Sequence, residues 1–301
     1  MTRPDGNEGL GRAVAVVAGI YLAALGAAVA VGIALGEWHP LAVVAAADLV
    51  GTIVVFAGSV RVNNTSMYDP YWSVAPIAIA AYFAFGPAAR VASDPDPVRV
   101  VVVCALVALW GARLTWSWLR GWRGLGHEDW RYVGVREKTG RLYWPASFLA
   151  LHLMPTVMVY LGCLSLYVAL SAGSRPFGVL DGVAAVVTAT AIWIEARADK
   201  ELHRFVASGR SRGAVLSSGL WAYSRHPNYF GEILFWWGLL LFALAASPSH
   251  LWVVIGPVAI TTLFAFVSIP LIEKRMLHRR GPAHAERVKR VSALIPWPPK
   301  R

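Results

Sequence analysis

The stretch SRHPNYFGEILFWWG places ionisable and amide side chains directly against a long apolar run. Its proline suits the first turn of a helix and predicts that a helix begins there. Asn228 and Glu232 are four residues apart, so on that helix they share one face. The positive N-terminal end of the helix would attract an anion, with Arg225 and His226 immediately before it. An ionisable residue one turn into an apolar segment is by default a functional-site candidate.

A second polar segment, RVNNTSMYDPYWSVAP, lies between two apolar runs. An interfacial turn explains its tryptophan and tyrosines, because aromatic residues collect at membrane surfaces. A carboxylate so close to the bilayer is harder to explain as a surface residue. Tyr68 and Asp69 are therefore candidates for a catalytic role, with the interfacial turn as the alternative.

A third segment, RLTWSWLRGWRGLGHEDWRYVGVREKTGR, alternates tryptophan with arginine. This pattern is typical of nucleic-acid binding, but a position beneath a membrane argues against that partner. A nucleotide cofactor presents the same chemistry, with phosphates for arginine and a flat base for stacking. Anchoring to lipid headgroups is an equally good interpretation. The alternating arginines are Arg113, Arg120, Arg123 and Arg131.

Two further polar segments carry candidate residues. Glu195, Asp199 and His203 are spaced by four, so they line one helix face, which is either solvated or turned to a polar cleft. The segment EKRMLHRRGPAHAERVKR contains Arg275 and is either a basic tail or one wall of a phosphate pocket. All of these segments are expected on one side of the membrane, which predicts a single pocket at the inner face.

Composition sets the environment of these segments. Hydrophobic residues make up 57% of the 301-residue chain and charged residues 15%, whereas a soluble protein has about 25% charged residues. Apolar runs near the roughly 20 residues of a membrane-spanning helix recur, the second of them interrupted by Asp48. They cover 13–35, 41–60, 74–88, 98–119, 144–170, 179–193, 230–246 and 251–272. We predict an all-α polytopic membrane helix bundle with seven or eight spans, in a single domain over residues 1–301.

The basic residues predict the orientation. If the N-terminus is cytoplasmic, the outer loops hold Arg90, Arg99 and Arg175, and the other 25 of the 28 lysines and arginines lie inside. This asymmetry predicts that both termini are cytoplasmic, in a multi-pass protein of a bacterial inner membrane. The first run is expected to be a retained helix, since it is too long for the apolar region of a signal peptide. The two cysteines are expected to be packing residues, and no histidine spacing predicts a metal site.

The segment GLWAYSRHPNYFGEILFWWG resembles the C-terminal signature of the steroid 5-alpha-reductase family and its bacterial membrane relatives. EKRMLHRR followed by RVSALIPWPP resembles the ending of that family, and the reductase-like region covers residues 197–301. Sterol C14 reductases and isoprenylcysteine carboxyl methyltransferases have related signatures around RHPNY. The methyltransferases use S-adenosylmethionine, whereas the Asn228–Glu232 pair looks more like the reductases.

The resemblance implies NADPH bound inside the bundle and open to the cytosol. The implied cofactor contacts are Asn228, Tyr229, Glu232, Asp199, Arg275, Arg225, His226, Arg113, Arg120 and Arg123. The family polarises the substrate carbonyl with a Gln–Glu pair, for which Tyr68 and Asp69 are the nearest counterparts here. The implied reaction transfers a hydride to the β carbon of a conjugated C=C, while a donor stabilises the oxygen and a proton reaches the α carbon.

The sequence is compatible with three functions. The first is an NADPH-dependent reductase of a lipid or steroid-like enone that enters from the bilayer. The second is an S-adenosylmethionine-dependent methyltransferase of a prenyl or lipid acceptor. The third is a non-enzymatic membrane lipid-binding protein, against which the Asn228–Glu232 pair argues. Membrane lipids are expected partners in all three, and nucleic acid in none.

Overall fold

The computed structural model describes residues 6–86, 94–209 and 214–300, and over these residues the fold is all-α. A single isolated β-bridge joins Ser224 and Ser292. The α-helices are α1 (Gly6–Ala34), α2 (Pro40–Val62), α3 (Tyr71–Phe85), α4 (Pro97–Gly121), α5 (Trp130–Thr139), α6 (Tyr143–Ser147), α7 (Met154–Tyr167), α8 (Val179–Ala207), α9 (Pro227–Ala246), α10 (Ile255–Leu263), α11 (Ile269–Arg280) and α12 (Pro282–Arg290). Short 3-10 helices at Thr65–Tyr68, Gly140–Leu142, Gly219–Ala222 and Pro248–Val254, and π-helices at Phe148–Leu153, Val168–Ala172 and Phe264–Ser268, lie between them.

Seven helical stretches in the described part of the chain are long and apolar enough to cross a membrane. They are Gly9–Ala34, Pro40–Val62, Pro97–Gly121, Trp130–Ala172, Val179–Ala207, Pro227–Ala246 and Pro248–Arg280. The predicted run at 74–88 corresponds to α3, which has only 15 residues; positions 87 and 88 lie outside the described residues. The prediction of a polytopic membrane helix bundle is confirmed, with seven such stretches.

The predicted helix boundaries around the signature segment are confirmed. α9 begins at Pro227, as the proline predicts. α8 continues unbroken to Ala207, so the polar segment with Asp199 extends the preceding apolar helix.

At the end of α2, Asn63 adopts a left-handed conformation with φ of 52°. Asn64 accepts a hydrogen bond from the Ser66 amide at 2.8 Å and donates to the carbonyls of Leu125 and His127. The paired asparagines therefore have a structural function.

Contacts divide the chain into two compact units. The first contains the described residues of 1–92 and 107–167, and the second contains those of 93–106 and 168–300. In the second unit α8 packs closely on α9. A Cβ atom added at Gly231 would lie 2.9 Å from the Ala191 carbonyl oxygen. A small residue at this position is therefore required for the approach of the two helices.

A buried ion pair joins the first turns of α4 and α8. The Arg99 Nε and Nη2 atoms donate to the two Asp181 carboxylate oxygens at 2.7 and 2.9 Å. Arg99 also donates to the carbonyls of Arg175 and Pro176, and its side chain is 0% exposed. Arg99 thus lies in the first turn of α4 and not in a loop, and Asp181 and two carbonyls compensate its charge. The predicted orientation of the chain in the membrane stays a prediction. The predicted Arg90 lies outside the described residues.

We predict that Arg99→Met lowers the free energy of unfolding by about 3–5 kcal/mol, because Asp181 is then left buried without its partner. Unfolding in mixed detergent–SDS micelles measures this change. Arg197→Met is the matched control, since its ion pair with Glu201 is half-exposed and worth about 0.5 kcal/mol. Equal effects of the two substitutions would contradict the role of Arg99.

Candidate functional site

The first unit contains an apolar cavity of about 290 Å³ between α1, α2 and α3. Most of its lining side chains are aliphatic, and its ionisable groups are Asp48 and three tyrosines. Leu25, Val29 and Ile33 of α1 line the cavity and are exposed. The cavity is therefore open at the α1 surface and suits a hydrophobic molecule with one polar end.

A carboxyl–phenol pair forms the polar part of this cavity. The Tyr71 hydroxyl donates to Asp48 Oδ1 at 2.7 Å and contacts the Asp48 carbonyl at 3.1 Å. Asp48 is 6% exposed, and its Oδ2 atom is buried without a hydrogen-bond partner among the described residues. A Cβ atom at Gly51 would lie 2.7 Å from the Tyr71 hydroxyl. The glycine therefore gives Tyr71 the space to reach Asp48, and one carboxyl oxygen remains for a ligand.

Tyr68 packs beside this pair. Its ring stacks on Tyr71 with centroids 5.0 Å apart. Its hydroxyl donates to the His152 carbonyl at 2.9 Å and shares a hydrogen bond of 2.5 Å with Thr156. His152 lies in the π-helix Phe148–Leu153, a conformation that alters the local backbone hydrogen bonding. Burial raises the pKa of Tyr68, so its hydroxyl stays neutral and can donate.

Asp69 belongs to a different network. It accepts a hydrogen bond from the Tyr132 hydroxyl, and the Arg131 guanidinium lies 3.7 Å from it. Burial raises the pKa of Asp69 to about 6, although Arg131 and Tyr132 oppose this shift. The structure thus gives the side chains of Tyr68 and Asp69 separate partners. Their assignment as a catalytic pair stays a prediction.

The arginine-rich segment has two kinds of arginine. Arg113 is partly buried within α4. Arg120 in the last turn of α4 and Arg123 in the loop that follows are exposed. The neighbouring Trp118 and Trp122 stack on each other with centroids 4.7 Å apart. The indoles therefore pack together in this structure, and the exposed guanidinium groups remain accessible to an anion.

Glu273 of α11 organises the polar cluster of the second unit. Its Oε1 atom accepts from Arg225 Nε at 2.8 Å and lies 2.7 Å from His226 Nε2. Its Oε2 atom lies 2.9 Å from His284 Nε2. The ring of His226 stacks on Tyr229 at 5.4 Å. Arg225 and His226, two of the predicted cofactor contacts, thus hold the start of α9 to α11 and α12.

The signature segment also pairs with the C-terminal segment. The Arg225 amide donates to the Ser292 carbonyl at 2.8 Å. The buried Ser224 hydroxyl donates to the Leu294 carbonyl at 2.8 Å, and the Trp297 amide donates to the Tyr223 carbonyl at 3.0 Å. These bonds join the signature segment to the ending RVSALIPWPP.

The other predicted cofactor residues of this unit lie on three helices, α8, α9 and α11. Asn228 and Tyr229 are partly exposed in its first turn, and Asp199 and Arg275 are partly exposed on α8 and α11. Glu232 is buried and accepts a hydrogen bond from Trp236 Nε1 at 2.9 Å. The assignment of these residues as cofactor contacts stays a prediction.

The sequence interpretation missed Asp48 and Tyr71. Asp48 is the single charged residue in an apolar run, and an ionisable residue inside a membrane-spanning segment indicates a functional site. Its partner is 23 residues away, so only the packing of α2 on α3 brings the two together.

We predict that Glu273→Gln lowers the free energy of unfolding by about 3 kcal/mol, because it leaves Arg225 without its counter-charge. Thermal unfolding in detergent measures this loss. Glu286→Gln is the control, because Glu286 is 65% exposed in its ion pair and contributes less than about 1 kcal/mol. A Glu273→Gln protein that unfolds like the control would contradict an organising role.

Comparison with known proteins gives one family and two relatives. A family model described as "Protein of unknown function (DUF1295)" matches residues 55–291. An uncharacterised protein of Schizosaccharomyces pombe is 29% identical over 237 residues, covering 70% of this chain and 67% of that protein. Methanethiol S-methyltransferase 1 of Bradyrhizobium diazoefficiens is 35% identical over 78 residues, covering only 26% of this chain and 25% of that enzyme. No solved structure matches. Because the family model covers most of the chain, this membrane protein belongs to the DUF1295 family.

Proposed function

We propose that this protein is an NADPH-dependent membrane reductase that acts on the conjugated C=C of a lipid or steroid-like enone. The observation that carries the proposal is the Asp48–Tyr71 pair in an apolar cavity open at the α1 surface. An enone lipid has the matching shape, a hydrocarbon body with one carbonyl oxygen. It would enter from the bilayer through the exposed side of α1.

Asp48 is the proposed hydrogen-bond donor to the carbonyl oxygen. An ionised carboxylate is costly in apolar surroundings, so the neutral acid suits this cavity. The Tyr71 hydroxyl donates to Oδ1, so Oδ2 is the oxygen that would hold the proton and donate it in a hydrogen bond to the substrate. Stacking on Tyr68 fixes the ring of Tyr71. Such a fixed donor stabilises the negative charge that develops on the oxygen during reduction.

NADPH, when bound, supplies the hydride. In the second unit, Asn228, Tyr229, Asp199 and Arg275 would contact it, and Glu232 would orient polar groups from the interior of α9. Arg113 and Arg120 stay predicted phosphate contacts on the basis of the sequence alone. Arg225 and His226 would act indirectly, because Glu273 binds both. The site is proposed to be open to the cytoplasm.

The methyltransferase is the second candidate, and the match to methanethiol S-methyltransferase 1 favours it. In this function the same start of α9 would bind S-adenosylmethionine, and the cavity would hold a prenyl or lipid acceptor. The two candidates thus differ first in the cofactor.

Cofactor binding separates the candidates. We expect NADPH, but not S-adenosylmethionine, to raise the thermal unfolding temperature of the detergent-purified protein, because a ligand that binds only the folded state stabilises it. Glu232→Gln should weaken NADPH binding about tenfold through loss of one charge-assisted hydrogen bond. Glu286→Gln is the matched surface control. A shift with S-adenosylmethionine alone would reject the reductase.

Activity tests the carboxyl–phenol pair. Once a reducible enone lipid is found by NADPH oxidation, Asp48→Asn should lower kcat about 100-fold, the typical cost of one oriented donor. Tyr71→Phe should lower it less, since Asp48 keeps its proton but loses its orientation. Tyr160→Phe is the control, because this hydroxyl donates to the Leu41 carbonyl and does not line the cavity. Unchanged kcat in Asp48→Asn would remove Asp48 from the reaction.

A further inference from the structure

A second cavity lies in the first unit, at the start of α1. It has a volume of about 450 Å³ and is distinct from the cavity that contains Asp48. The first turns of α1, the last residue of α2 and the loop after α4 form its walls. The lining residues are Gly9, Leu10, Arg12, Ala13, Val16, Val62, Arg123, Gly124, Leu125 and Gly126.

Among the described residues, the charged side chains that line this cavity are both positive. Arg12 and Arg123 are its two ionisable lining residues, and both are exposed. Neither forms an ion pair or a hydrogen bond within the described residues. Two arginines farther along the chain differ, since Arg131 pairs with Asp129 and Arg136 with Glu128. Two uncompensated guanidinium groups at one opening suit a phosphate, which they bind in a forked geometry.

Glycine opens the backbone of this cavity to a ligand. Gly124 has φ of 82°, a left-handed conformation that favours glycine. A Cβ atom at Gly9 or Gly126 would meet no other atom within 4 Å. A side chain would fit at both glycines but none is present. A headgroup therefore has room to approach the main chain near Arg12 and Arg123.

The floor of the cavity is apolar. Leu10, Ala13 and Leu125 belong to a packed cluster that includes the buried Trp122. Further along α1, Leu22 and Val29 are exposed, as expected of a helix face that contacts hydrocarbon. A ligand that matches both regions has an anionic head and an apolar tail that follows α1.

We propose that this cavity binds the phosphate headgroup of an anionic phospholipid, with Arg12 and Arg123 as its ligands. This inference goes beyond the proposed function and does not rest on it. It gives Arg123 a lipid phosphate as its partner in place of the cofactor phosphate predicted from the sequence. The lipid would then hold the start of α1 and the loop after α4 together at the membrane surface.

Native mass spectrometry and binding titration of the full chain in detergent test the proposal. Phosphatidylglycerol should bind more tightly than phosphatidylcholine. Each of Arg12→Gln and Arg123→Gln should weaken phosphatidylglycerol about fivefold, and the double variant about 25-fold. The control Arg279→Gln, an exposed arginine of α11, should bind as the parent does. Unfolding temperatures without lipid should be equal, because neither arginine has an ion-pair or hydrogen-bond partner among the described residues.

Two results would overturn the proposal. Parent-like phosphatidylglycerol affinity in the double variant would remove the two arginines as ligands. Inorganic phosphate binding as tightly as phosphatidylglycerol would mean that the cavity takes a free anion and that the tail contributes nothing. The Arg12→Gln variant should keep the NADPH shift of the parent, so failure here is distinguishable from failure of the reductase proposal.

Discussion

The hydrogen bond from Tyr71 to Asp48 gives a carboxyl group within apolar helices a partner. The first unit depends on this kind of bond, because polar groups within apolar helices must find partners inside the protein. Gly51 gives the phenol its space, and Tyr68 stacks against the same ring. Through Thr156, Tyr68 reaches Thr52 in a hydrogen-bonded series of hydroxyl groups. This network is satisfied except at Asp48 Oδ2. The exception lies beside a cavity, which is where a substrate can complete the network.

The same constraint organises the second unit around two carboxylates. Asp181 compensates Arg99, and Glu273 accepts three donors from the segments before and after it. The signature residues Arg225 and His226 thereby fix the start of α9. Asn228 and Tyr229, in the next turn, remain partly exposed. The signature thus combines residues that hold the start of α9 in place with residues that are partly exposed beside it.

The elements could be predicted from the sequence because they depend on local features. Proline specified the start of α9, and apolar runs specified the spanning helices. The partners of Asp48 and Arg99 could not be predicted, because they are 23 and 82 residues distant and depend on helix packing. For Tyr68 and Asp69 the sequence suggested a shared site, whereas the packing gives each side chain its own partners. They are neighbours in the chain, yet the end of the 3-10 helix at Tyr68 directs their side chains to different partners.

Isotope transfer distinguishes hydride transfer from methyl transfer in a single reaction. The purified protein would be incubated with an enone lipid, NADPH carrying deuterium at the transferable position, and S-adenosylmethionine with a labelled methyl group. We predict a product with a reduced C=C and one deuterium at the β carbon, formed by the parent and nearly absent with Asp48→Asn. A labelled methyl group in the product, with the C=C intact, would contradict the reductase and establish the methyltransferase.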